Sequence, residues 1–98
     1  MIEVELQIPG SIETETVIRV VEQVCAFNEL TCRLKGTLVS YPGSVHWHFK
    51  RGGQKGTLEM TWWESEHRFW FKVANGRAGE WILESIPQLK EQIEKMFL

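Results

Sequence analysis

The sequence has no long hydrophobic segment and no excess of positive charge, and each absence excludes a class of protein. No stretch approaches the roughly 20 consecutive apolar residues that a membrane-spanning helix needs. The formal net charge is -2 at pH 7, whereas general nucleic-acid-binding domains usually carry a basic excess. We therefore expect no membrane association, and nucleic acid is an unlikely partner.

Cysteine is scarce as well, and Cys25 and Cys32 are the only two. Both fall at positions that we expect to face inward, which predicts buried, reduced thiols rather than a disulfide. Residues 1–6 have neither the basic region nor the apolar run of a signal peptide. These features predict a cytoplasmic protein.

The composition is that of an ordinary globular protein. The 98 residues are 43% hydrophobic and 24% charged, and they fit one domain over residues 1–98 whose core needs no metal or disulfide. Alternating apolar and polar residues predict five strands, within residues 2–8, 32–38, 44–50, 57–63 and 68–73.

Two segments instead have the hydrophobic spacing of a helix. The first follows the first strand, with an apolar stripe formed by Val17, Val20, Val21, Val24 and Phe27. The second ends the chain, with a stripe formed by Ile82, Ile86, Leu89, Ile93 and Met96. Pro87 lies inside this second pattern, so we expect a kink or a new helix that begins near it.

Charge pairing predicts the order of the strands. A hairpin that places Glu59 opposite Lys72 and Trp63 opposite Arg68 is favourable. The first strand presents acidic and amide side chains, so its best neighbour is the last strand, which presents basic ones. The result is an α+β two-layer sandwich: a five-stranded antiparallel sheet in the order 1-5-4-3-2 with two helices on one face.

This β-α-β-β-β-β-α order resembles that of TATA-binding-protein-like and related helix-grip domains. The resemblance is one of topology, and a shared fold does not imply a shared function.

The shared face of the strands and the helical stripes predict one hydrophobic core. Its members are Val4, Leu6, Val20, Val24, Leu34, Trp47, Leu58, Met60, Phe69, Phe71, Ile82, Leu89 and Ile93.

His46 and His48 form the sharpest chemical pattern in the sequence. Residues i and i+2 of a strand point to the same side, so both imidazoles share the outer face of the sheet. Depending on the register, Glu59 lies opposite one or the other and completes a set of two histidines and one carboxylate. The simpler interpretation is that these residues fill the polar positions of an alternating strand.

We expect this set to bind no metal. An open sheet face offers neither shelter nor hydrogen-bond partners that would orient the imidazoles. Arg33 or Lys35 is expected on the adjacent strand, where a cation disfavours another one, and Lys72 is expected to compete for Glu59. The sequence therefore predicts no metal and no cofactor.

The predicted function is a non-enzymatic binding module that uses the aromatic outer face or the groove between the sheet and the last helix. Its partner would be another protein or a second copy of this chain, with a small ligand as a further candidate. The candidate contact residues are His46, His48, Trp63, Arg68, Trp70, Arg77 and Trp81, and we expect Trp63 and Trp70 to be at least partly exposed.

Two alternatives stay open. One is a small metal-dependent or acid–base enzyme that uses His46, His48 and Glu59. The other is single-stranded nucleic-acid binding on the outer face, where basic residues alternate with tryptophans.

Overall fold

The chain forms the predicted elements in the predicted order. The structure is a computed structural model that describes residues 1–98. Its strands and helices are β1 (Ile2–Glu5), α1 (Thr14–Phe27), β2 (Thr31–Gly36), β3 (Val45–Lys50), β4 (Leu58–Trp63), β5 (Arg68–Val73) and α2 (Glu80–Met96), with a 3₁₀ turn at Glu64–Glu66. Neither helix is both long and apolar enough to cross a membrane.

The strands form one antiparallel sheet in the order β1-β5-β4-β3-β2, which confirms the prediction. In the β4–β5 pair, Glu59 lies opposite Lys72 and Trp63 lies opposite Arg68. In the β1–β5 pair, Glu3 lies opposite Lys72. Acidic residues of both neighbouring strands thus lie opposite Lys72 of β5.

One hydrophobic core lies between the sheet and the two helices, and it contains 20 buried residues. Most predicted core residues belong to it, including Trp47, Phe71 and Ile82, but Val4 is only partly buried. Phe27 departs from the predicted stripe, because this last residue of α1 is 82% exposed.

Strand β2 departs from the predicted alternation because it contains a β-bulge. Arg33 has no partner in β3, whereas Leu34 lies opposite His48 and Lys35 lies opposite Trp47. An extra residue in a strand reverses the faces of the residues that follow it. Leu34 therefore turns to the outer face, where it is 47% exposed, and its assignment to the core is wrong.

The bulge also moves Lys35 to the inner face, which the sequence did not predict. Its Nζ lies 2.6 Å from Oε2 of Glu22 on α1, and the same oxygen accepts a hydrogen bond from Nε1 of Trp47 at 3.1 Å.

Every residue of β2 is exposed, since neither helix covers this edge of the sheet. Cys32 lies opposite Phe49 but is exposed, so the prediction that it is buried is wrong. Cys25 is buried in the core, and both thiols are free.

Helix α2 continues through Pro87, so the alternative of a new helix beginning there is wrong. Pro87 lacks the N–H that would bond the carbonyl of Leu83. Both residues lie on the exposed side of α2, where water can satisfy that carbonyl.

Candidate metal centre on the outer sheet face

The outer face of the sheet, turned away from the helices, carries its side chains in rows that run across all five strands. The strand registers give one row of Glu3, Lys72, Glu59, His48 and Leu34, and a second row of Glu5, Trp70, Thr61, His46 and Gly36. Glu59 therefore lies opposite His48, which settles the register that the sequence left open.

Three ligand atoms from these rows lie close together. Nε2 of His46 shares a hydrogen bond of 3.0 Å with Nε2 of His48 and lies 3.4 Å from Oε1 of Glu59. The distance between His48 Nε2 and Glu59 Oε1 is 3.8 Å. The point equidistant from the three atoms lies about 2.0 Å from each, which matches the length of zinc–nitrogen and zinc–carboxylate bonds. This triangle therefore has the size that one divalent transition-metal ion requires.

Thr61 orients the more buried of the two imidazoles. Its hydroxyl lies 2.8 Å from Nδ1 of His46, and Thr61 itself is 1% exposed. When Nδ1 donates its proton to this hydroxyl, the lone pair of Nε2 points into the triangle. A hydrogen bond at the second ring nitrogen of this kind orients a metal-binding histidine.

The cluster is sheltered, although it lies on the face that no helix covers. The side chains of His46 and Glu59 are only 5% and 11% exposed, and that of His48 is 22% exposed. Trp70, in the same row as His46, is 3% exposed and packs edge-on against the ring of Tyr41 at 5.3 Å. The loop between β2 and β3, which contains Tyr41, thus covers part of the outer face.

The electrostatics keep His46 in the state that metal binding requires. Burial lowers the pKa of His46, and the neighbouring His48 and Lys72 lower it further against the opposing effect of Glu59. The imidazole is therefore neutral near pH 7, with a lone pair available for a metal ion.

The carboxylate of Glu59 is directed at the imidazoles rather than at Lys72. Its Oε1 lies 3.4 Å from Nε2 of His46 and 3.8 Å from Nε2 of His48, and it forms no ion pair with Lys72, although Lys72 lies opposite it. A carboxylate that is mostly removed from water needs a polar or charged partner. A cation held within the triangle would be a stronger partner than neutral imidazoles.

The geometry differs in three respects from the features that the sequence set against metal binding. The cluster is sheltered, and the hydroxyl of Thr61 contacts one of the imidazoles. Lys35 lies on the inner face, and Leu34 takes its place beside His48. Lys72 forms no ion pair with Glu59, although it lies opposite Glu59 and its positive charge still acts on His46.

The predicted contact surface around Trp70 is only partly available. Trp70 is buried, which is contrary to the prediction, while Trp63 is half-buried and its Nε1 donates to the carbonyl of Pro42 at 3.0 Å. The guanidinium of Arg68 lies 4.3 Å from the centre of the Trp70 ring and pairs with Glu5. These contacts occupy Arg68 and both tryptophan rings, which are three of the groups that could stack on or clamp a nucleic acid.

Trp81 and Arg77 lie away from the histidines, near the loop between β3 and β4. Trp81 is 4% exposed, so its ring offers little contact surface, and its Nε1 donates to the carbonyl of Lys55 at 2.8 Å. Arg77 is exposed, and its carbonyl accepts a hydrogen bond from the backbone N–H of Thr57. The structure does not bring these two residues into the histidine cluster.

An open groove does lie beside the helix that contains Pro87. It runs between the segment after β1 and the C-terminal half of α2, and its lining includes Ile8, Pro9, Pro87 and Phe97. The groove lies among the elements that cover the inner face, so it is separate from the histidine cluster.

Sequence reasoning missed Thr61 and Tyr41. Thr61 shares the parity of Glu59 on β4, so the β3–β4 register would have identified it. Tyr41 lies in a loop, whose path over the sheet has no signal in the alternation of residues.

Comparisons with family models, curated proteins and solved structures gave no match to this chain.

Proposed function

We propose that this protein binds a divalent transition-metal ion through His46, His48 and Glu59. The observation that carries the proposal is the triangle of two imidazole nitrogens and one carboxylate oxygen, with sides of 3.0, 3.4 and 3.8 Å. Imidazole and carboxylate ligands together suit zinc and its neighbours iron, cobalt and nickel.

The charge of the site supports a cation of this kind. Two neutral imidazoles and one carboxylate carry a net charge of about one negative unit, which a divalent ion more than balances. The contact between Thr61 and His46 prepares one ligand in advance, and the small exposure of Glu59 limits competition from water. Preorganisation and partial burial both strengthen binding.

Three protein ligands distinguish this site from a purely structural one. Structural zinc sites usually have four protein ligands, whereas a site with three keeps a coordination position for water or a ligand. His48 is the most exposed of the three ligands, so this position opens toward solvent on its side. The proposed centre therefore has a reactive position as well as a bound ion.

Calorimetric titration of tag-free protein with zinc at pH 7.5 tests the proposal. We expect one-to-one binding that is lost when His46 and His48 are both changed to alanine, and strongly weakened by Glu59→Gln. His67→Asn is the matched control, because His67 is exposed, lies outside the cluster and has a positive φ of 52° that asparagine tolerates. Binding that survives in the double variant, or no binding by the wild-type protein, would contradict the proposal.

A protein-binding module is the second candidate function, and the exposed edge strand β2 supports it. Leu34 is 47% exposed on the outer face beside this edge. Light scattering at increasing concentration tests whether the partner is a second copy. A dimer that Leu34→Glu dissociates would support this role, and a strict monomer would leave only a different protein as the partner.

A further inference from the structure

Lys72 is a half-buried lysine that lies beside the cluster and has no ion-pair partner. It lies opposite Glu59 on β4 and opposite Glu3 on β1, yet it pairs with neither carboxylate. By contrast, Arg68 on the same strand and face pairs with Glu5. The ammonium group of Lys72 is therefore available to a ligand.

Lys72 is close to the ligands of the proposed ion. It shares one row of the outer face with Glu59 and His48, and it lies directly opposite Glu59 on the neighbouring strand. Lys72 and the ion would thus act on the same small region of the surface.

With a divalent ion bound, the charges in this region would favour an anion. The ion contributes two positive charges and Lys72 one, while Glu59 contributes one negative charge and the imidazoles none. Glu3 adds a further negative charge at the edge strand, where it is exposed and screened by water. The sum stays positive, and a concentrated positive charge attracts anionic ligands.

We propose that the metal centre and Lys72 together bind a small oxyanion, a carboxylate or a phosphate. One oxygen of the anion would occupy the remaining coordination position of the ion, and a second oxygen would accept a hydrogen bond from the ammonium group of Lys72. Lysine is a common point-charge partner for such groups. This inference rests on the metal site proposed above.

The test uses tag-free protein loaded with cobalt, whose visible absorption bands respond to a change of ligand. The cobalt protein is titrated separately with acetate and with inorganic phosphate, which distinguishes the two classes of anion. We expect a saturable shift of the bands with at least one of them. Lys72→Met should weaken the binding of that anion about five- to tenfold, as expected for losing one nearby charge at a partly exposed site.

Two further variants serve as controls. Lys72→Arg keeps the charge and should stay within about twofold of the wild-type affinity. Lys95→Met removes the same charge from α2, which covers the opposite face of the sheet, and should leave anion binding unchanged. Each variant should retain the cobalt bands and the wild-type circular dichroism. This result would show that any weaker anion binding does not come from misfolding.

The outcomes separate the two proposals. The anion site would be overturned if neither anion shifted the cobalt bands, or if the shift were equal in the wild-type protein and Lys72→Met. Neither result would contradict the metal site. The absence of cobalt binding would overturn both proposals.

Discussion

The hydroxyl of Thr61 lies 2.8 Å from Nδ1 of His46, and this contact determines which nitrogen of the imidazole faces Glu59. It joins two strands that are neighbours in the sheet, because His46 on β3 lies opposite Thr61 on β4. The orientation of the ligand is therefore a consequence of strand register.

Thr61→Val keeps the shape of this side chain and removes its hydroxyl. We expect zinc affinity to fall about tenfold, because losing the hydrogen-bond partner of a metal-binding histidine typically costs at least that factor. Calorimetry measures the change, and Thr61→Ser, which keeps the hydroxyl, should bind nearly as well as the wild-type protein. Equal affinity in the valine variant would show that Thr61 does not orient the ligand.

Phe71 and Leu34 should respond very differently to truncation. Phe71 is fully buried in the middle of the sheet, so Phe71→Ala should cost about 3–5 kcal/mol of unfolding free energy. Leu34 is exposed beyond the bulge, so Leu34→Ala should cost less than about 1 kcal/mol. Urea denaturation measures both values, and a large loss for Leu34→Ala would mean that β2 has no bulge.

The two cysteines should differ in reactivity. Burial raises the pKa of Cys25 to about 12, while Cys32 is exposed on the edge strand. At pH 8 a thiol-specific reagent should therefore modify Cys32 readily and reach Cys25 only after denaturation. Mass spectrometry of the native and denatured protein counts the labels. Rapid labelling of both cysteines in the native protein would contradict the burial of Cys25 on α1.

Glu22 should make stability depend on pH. The hydrogen bond from Lys35 is the largest cause that lowers the pKa of Glu22 below its ordinary value of 4.5. Because the folded state prefers the ionised carboxylate, the stabilisation by Glu22 is full above the pKa that this group has in the unfolded state. It is lost as pH falls through the lower pKa of the folded state.

We therefore expect the wild-type protein to be slightly more stable than Glu22→Gln at pH 7, with the difference vanishing toward pH 3. The effect should be small, since the side chain of Glu22 is 41% exposed. Thermal unfolding at several pH values measures it. A difference that grows as the pH falls would show that Lys35 does not face Glu22.

Much of the fold could be predicted from the sequence, because it follows from regular alternation. Two expectations order the strands: Glu59 and Trp63 lie opposite Lys72 and Arg68, and the acidic first strand lies beside the basic last strand, since opposite charges and cation–aromatic pairs prefer to face each other. The two helices, each with one apolar stripe, then both pack on the apolar face of the sheet.

The bulge at Arg33 could not be predicted in this way. A bulge preserves the local alternation of residue types on each side of it and reverses which face they occupy. It therefore exchanged the expected positions of Leu34 and Lys35, and with them the charge beside His48.

Only part of the candidate site could be predicted from the sequence, for a similar reason. The shared face of His46 and His48 follows from their spacing, but the cover over Trp63 and Trp70 on the same face comes from Tyr41, whose loop follows no periodic pattern. The orientation of Glu59 toward the imidazoles also depends on side-chain rotamers, which the sequence does not specify.

The most direct test of the account is a crystal structure of the zinc-loaded protein with anomalous diffraction measured at the zinc edge. The account predicts one strong anomalous peak on the outer sheet face, about 2.0–2.2 Å from Nε2 of His46, Nε2 of His48 and a carboxylate oxygen of Glu59. A peak elsewhere, such as at His67 or Cys32, would contradict it, as would a structure in which the two imidazoles stay hydrogen-bonded to each other with no metal between them.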